Sequence, residues 1–206
     1  MVVSDTHKEF INGQIEKLAD YDSQRPKGHV YEFHLHSKRV AQSMKKLAIA
    51  MGYDQGMANT LYWATLPHDI GKMTLPVELW DMVEKPSEAQ RESRRAHTIE
   101  GVKIIQKEFE NACDKDPFLK LMTDIMLNHH ENTNGSGYLG KTADELSQET
   151  RMACICDAFD GYSVHRKHFG DRDLSPSAVI ERMEIEKHGQ FDDKILKIFK
   201  EITLCQ

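Results

Sequence analysis

His68 and Asp69 stand side by side in Leu66-Pro67-His68-Asp69-Ile70-Gly71-Lys72, where an apolar helical pattern runs out. Neighbouring residues of a regular helix diverge by about 100°, so the two side chains reach one place only if the backbone is distorted, and Pro67 supplies a reason for distortion. A carboxylate can bridge two cations while the preceding imidazole holds one of them. Further groups able to hold a cation follow along the chain: Glu32 and His36 at i and i+4, His97 ahead of Thr-Ile-Glu-Gly, the pair His129-His130, and Asp157 inside Ala-Cys-Ile-Cys-Asp-Ala-Phe. Spacing of i and i+4 on one helix would put Glu32 and His36 on a shared face. An acid within an apolar helix is avoided unless something cationic meets it. Any one of these, taken alone, is compatible with an ordinary solvated or core residue, but their succession on separate helices points to a shared metal centre.

The elements that must position these groups read as helices. Apolar residues recur at steps of three and four, and alternation with period two is scarce, which predicts an all-α, single-domain bundle of about seven to nine helices. The pattern places them at about 4–21, 30–51, from 54 to Pro67, 87–94, 97–111, 117–130, 147–165, 175–188 and 192–203. Ser4 or Asp5, Ser175-Pro176 and Asp192 serve as starts, and Gly52 as a stop. Residues 131–146 form a polar loop rich in Gly and Asn. Residues 1–29 read as an N-terminal helix and extension, and 30–206 as the main unit.

Composition narrows the function. The chain has 206 residues, 39% of them hydrophobic, which is enough for a packed core. A formal charge of −6 argues against duplex nucleic acid or an anionic membrane as the main partner. No apolar run approaches the roughly 20 residues of a membrane span. Cys113, Cys154, Cys156 and Cys205 show no CxxC spacing and read as packing thiols in a reducing cytoplasm. Trp63 reads as core. Arg91, Arg94 and Arg95 read as a solvated helix surface.

The ordered set His36, His68-Asp69, His97, His129-His130 and Asp157 resembles the HD superfamily of metal-dependent phosphohydrolases. The segments HSKRV, HDIGKMTLP, HTIEG, HHENTNGSGY and CDAFDGYSVHR look closer still to its HD-GYP branch, bacterial phosphodiesterases of cyclic di-GMP. The resemblance covers about 30–200, nearly the whole chain. It implies the HD fold and a centre of two or three divalent ions, iron or manganese ahead of zinc, nickel or magnesium. The implied ligands are His36, His68, Asp69, His97, His129, His130 and Asp157, with Asp69 bridging and Glu32 at the place of a third-ion glutamate. It implies Asp69, His68 and Lys72 as catalytic residues, and Lys72, Tyr138 and Arg166 as substrate-binding ones. Where the branch has Gly-Tyr-Pro, this chain has Gly137-Tyr138-Leu139, and Phe169 departs from the residue many members carry there. The implied reaction opens cyclic di-GMP to pGpG, and onward to GMP, in the cytoplasm, with regulation from a separate chain or from the first 30 residues. The alternatives are an HD phosphohydrolase for another nucleotide, or a catalytically weak binder of cyclic dinucleotides.

Overall fold

The computed structural model describes residues 1–26, 31–82, 84–110, 112–165 and 171–205. Among them run eight α-helices and no sheet: α1 Asp5–Ser23, α2 Phe33–Ala50, α3 Gln55–Thr65, α4 Glu88–Glu108, α5 Pro117–Asn128, α6 Gln148–Tyr162, α7 Pro176–Ile185 and α8 Asp193–Leu204. Short 3-10 turns at Ile70–Thr74, Val77–Leu79 and Ala143–Glu145 fill the connections. The helix starts are set by side-chain caps. Ser4, Asp54, Ser87, Asp116, Ser147, Ser175 and Asp192 each accept a hydrogen bond from an amide that the first turn leaves without an internal partner. Gly52, at φ 89°, takes the left-handed turn that ends α2.

α2 is the central post. Its buried side, Val40, Ala41, Met44, Leu47 and Ala48, packs on α1, α3, α6 and α8. Ile11 and Ile15 of α1, and Phe199 of α8, enter the same core cluster as Met122, Ile125 and Ile155 from the middle of the chain. A smaller cluster of Leu18, Tyr21 and Phe33 lies beside it, with Trp80 against it. Trp63 is packed on the main core, as the sequence predicts.

Two expectations about the helices need correction. The chain does not break between Arg94 and His97, because Arg94-Arg95-Ala96-His97 holds no glycine or proline and α4 runs through it unbroken. Glu32 is the N-cap of α2, with extended backbone (φ −88°, ψ 128°), so it does not share a helical face with His36.

Candidate metal centre

α3 ends at Thr65, before Pro67, and the next residues are tight turns: the amide of His68 donates to Thr65 O, that of Ile70 to Pro67 O, and that of Lys72 to Asp69 O. This distortion turns His68 and Asp69 to one side, and both are buried. The turn then lies flat on α4. A Cβ on Gly71 would fall 1.9 Å from His97 O and 2.5 Å from Gly101 N, so only glycine allows the backbones to approach this closely. That approach brings His97 Nε2 to 3.3 Å from Asp69 Oδ1.

Four imidazoles are oriented by the same device. The Nδ1 of His68 meets Thr65 O at 3.0 Å, that of His97 meets Arg94 O at 2.6 Å, and that of His129 meets Met126 O at 2.9 Å. His36 Nδ1 meets Asp160 Oδ2 at 2.7 Å, and the Arg39 fork holds the same carboxylate at 2.7 and 2.9 Å. A carbonyl or carboxylate only accepts, so each Nδ1 carries a proton, and in the neutral ring that a metal requires the bare Nε2 is turned inward. Those lone pairs face one another: His36 Nε2 is 3.3 Å from His68 Nε2, and His97 Nε2 is 3.4 Å from His129 Nε2. Asp69 Oδ1 is buried among them without a hydrogen bond. Acceptors pressed on acceptors in a buried site are unfavourable unless a cation lies among them, and this donor set, imidazole and carboxylate without thiolate, fits a divalent metal.

The ligand atoms form two groups that share one member. Asp69, His97, His129 and His130 make one; His36, His68 and Asp69 make the other; within each, the atoms lie within 4.8 Å of one another. Asp69 therefore stands where a bridging carboxylate is needed. Asp157 joins from α6, with Oδ1 3.0 Å from His36 Nε2 and 3.5 Å from His68 Nε2, and Oδ2 3.5 Å from His130 Nδ1. Glu32 stands apart from both groups; its Oε2 lies 3.9 Å from His34 Nε2 and 42% of its side chain is exposed.

The charges agree with this geometry. Burial opposes ionisation of Asp69, but the charge of Lys72 overcomes it and holds the carboxyl well below the ordinary range. Burial also opposes the His36 cation, yet Tyr31, Asp157 and Asp160 raise that ring to about 10, and the same negative field would draw a metal ion. Burial lowers His68 and His97, which keeps them neutral. Burial would lower Lys72, but the Asp69 charge raises it; its ammonium is hydrogen-bonded to Asp69 Oδ2 and lies 4.7 Å from the Phe33 ring and 5.5 Å from that of Trp80.

Tyr138 reaches the centre from the 131–146 loop, its ring 4.7 Å from that of His130. Two features fix it there. Glu131, buried, accepts from the amides of Leu139 at 2.6 Å and Lys141 at 2.7 Å. Gly137 lies so close to the chain that a Cβ would sit 2.5 Å from Glu131 Cα. Arg166 and Phe169 lie outside the described residues.

Three contributors escaped the sequence reading: Glu131, Asp160 and Arg95. The signal for Asp160 was its position three residues after Asp157 on the same helix, and for Glu131 its place directly after His130. Arg95, expected on a solvated face, has its guanidinium carbon 4.9 Å from the Tyr138 ring.

Fold and site together define a helical bundle whose interior collects imidazoles and carboxylates for a divalent metal centre. The profile of the HD domain family matches residues 34–162, and the chain belongs to that family. Among its relatives are a cyclic di-GMP phosphodiesterase of Pseudomonas aeruginosa, 27% identical over 167 residues (81% of this chain, 38% of the relative), and a 3'3'-cGAMP-specific phosphodiesterase of Vibrio cholerae, 27% identical over 164 residues (79% and 36%). The chain thus spans well under half the length of these relatives. An HDG"Y"P protein from Bdellovibrio bacteriovorus shares the fold, with TM-score 0.65 and 17% identity over 96% of this chain and 61% of that one. No helix of the described residues is long and apolar enough to cross a membrane.

Proposed function

We propose that this chain is a metal-dependent phosphodiesterase that opens a cyclic dinucleotide, cyclic di-GMP foremost, to linear pGpG and onward to GMP. The observation that carries the reading is the set of four imidazoles, each anchored through Nδ1, whose Nε2 atoms converge around the shared Asp69 carboxylate. His36, His68, Asp69 and Asp157 would hold one ion, and Asp69, His97, His129 and His130 a second. When bound, such ions supply a water acidified from 15.7 toward about 7 and a positive field for a phosphate oxygen. Iron or manganese suits these ligands best, since no thiolate takes part.

The chain's own groups supply the rest. Lys72, kept cationic by Asp69, presents a point charge to a phosphate oxygen beside the centre. Tyr138 forms one wall and orients the substrate over His130. Phe33 and Trp80 flank Lys72 and limit water around it. The free thiols of Cys113, Cys154, Cys156 and Cys205 support a reducing cytoplasm as the setting.

The test combines anaerobic purification and metal analysis with chromatography of products from cyclic di-GMP, 3'3'-cGAMP and cyclic di-AMP. Metal-loaded protein should give a linear dinucleotide, and Asp69→Ala should lose both metal and turnover. Intact cyclic dinucleotides after incubation with loaded protein, or full turnover by Asp69→Ala, would overturn the reading.

A further inference from the structure

α4 carries Arg95 two residues before His97, and the guanidinium carbon stands 4.9 Å from the centre of the Tyr138 ring. That ring in turn lies 4.7 Å from the His130 ring and 6.5 Å from the His97 ring. A chain of ring contacts, edge-on from His97 and tilted from His130, therefore runs from two imidazoles of the centre, through a phenol, to a guanidinium. The loop holding Tyr138 is fastened at Glu131, so the platform under Arg95 is fixed in advance.

Several other cations among the described residues have partners of their own. Lys72 is bound to Asp69, Arg39 to Asp160, and Arg25 to Asp22 and Asp81. Arg91 donates to Pro86 O and Arg94 to Leu79 O. Arg95 instead meets Glu92 through Nη1 at 3.2 Å, between side chains 44% and 71% exposed. An exposed pair of this kind is weak, and a ligand phosphate competes with it readily.

A cyclic dinucleotide carries two phosphodiesters, and ring closure sets the second across from the first. With one diester at the metal centre, the other needs a cation at the rim. On the phosphodiesterase reading above, we propose that Arg95 grips this second, unreacting phosphodiester and so makes the site select two-phosphate rings over single-phosphate diesters. The Tyr138 ring holds the guanidinium plane from beneath, and the fork meets the phosphate oxygens bidentately.

The experiment compares metal-loaded wild type, Arg95→Ala and Arg95→Lys on cyclic di-GMP and on bis(p-nitrophenyl) phosphate, a diester with a single phosphate. The ratio of kcat/KM for the ring to that for the small diester should fall about ten- to a hundredfold in Arg95→Ala, chiefly through KM. Arg95→Lys should recover part of it, keeping the charge but not the fork. Calorimetry with a slowly hydrolysed phosphorothioate ring should show a matching loss of affinity. An unchanged ratio, or equal losses on both substrates with a lowered Tm, overturns the inference while leaving the phosphodiesterase reading intact. If wild type cleaves the small diester but opens no cyclic dinucleotide, the substrate reading falls and the inference falls with it.

Discussion

Gly71→Ala should damage fold and centre together, and the structure gives the size of the effect. The added Cβ would sit 1.9 Å from His97 O, against the roughly 3.4 Å of an ordinary contact, and 2.5 Å from Gly101 N. Both obstacles are backbone, so the 3-10 turn must move off α4 by about 1.5 Å, since no rotamer can relieve the clash. Overpacking of this severity costs about 3 kcal/mol, the upper part of the usual range. For a chain of this length, that corresponds to a fall in Tm of about 6–12 °C. The same movement carries Asp69 away from His97, and a displacement near 1 Å at a reacting centre lowers turnover about a hundredfold. Gly101→Ala is the control. Its Cβ would meet the Met126 Cε at 2.7 Å, the mobile end of a flexible side chain, and alanine favours a helix interior by about 1 kcal/mol. Calorimetric Tm and metal content per chain should therefore fall sharply in Gly71→Ala and little in Gly101→Ala. Gly71→Ala with a Tm within 2 °C of wild type and a full metal complement would refute the argument from close approach.

Other perturbations test the supports of the centre. Asp160→Ala frees His36 Nδ1 and should weaken metal affinity about 10- to 100-fold, read by competition with a chelator, with little change in Tm. Leu139→Pro removes the amide that donates to buried Glu131 and should cost about 1–3 kcal/mol in urea unfolding; in a Glu131→Ala background the same change should cost almost nothing. Asp22 gives a pH signature: burial opposes its charge, but bonds from His34, Phe33 and Arg25 prevail and its folded pKa is lowered. Its stabilisation is present above the unfolded value of about 3.9 and is lost as pH falls below it. Asp22→Asn should therefore show a flatter fall in urea midpoint below pH 4 than wild type, and an identical fall would dismiss the assignment.

Much of this architecture was readable in the sequence because the residues that form it act locally. Ser4, Ser175 and Asp192 cap helices where their types and the following patterns place them. The stop before Pro67, and the gathering of His36, His68, Asp69, His97, His129, His130 and Asp157, also match the expectation. What stayed hidden depends on partners remote in sequence or on the backbone. Asp160 gains its role from Arg39 and His36, 121 and 124 residues away. Glu131 acts through main-chain amides, which every non-proline residue carries, so its position after His130 hints at a role but its bonding partners leave no mark in the sequence. Glu32 misled because spacing of four implies a common face only inside a helix, and it sits at the cap.

The clasp around Arg25 reaches beyond its own corner. Its guanidinium is buried between Asp22 and Asp81 and lies 3.9 Å over the Phe33 ring, the same ring that stands 4.7 Å from Lys72 Nζ. α1 lies wholly outside residues 34–162 yet contributes Ile11 and Ile15 to the main core, and Asp22 at its end completes the clasp. The stretch matched by the family profile is therefore smaller than the body that folds. Trimming the polypeptide to the recognisable stretch would expose apolar surface at both ends of the bundle and strip one side from the wall behind Lys72.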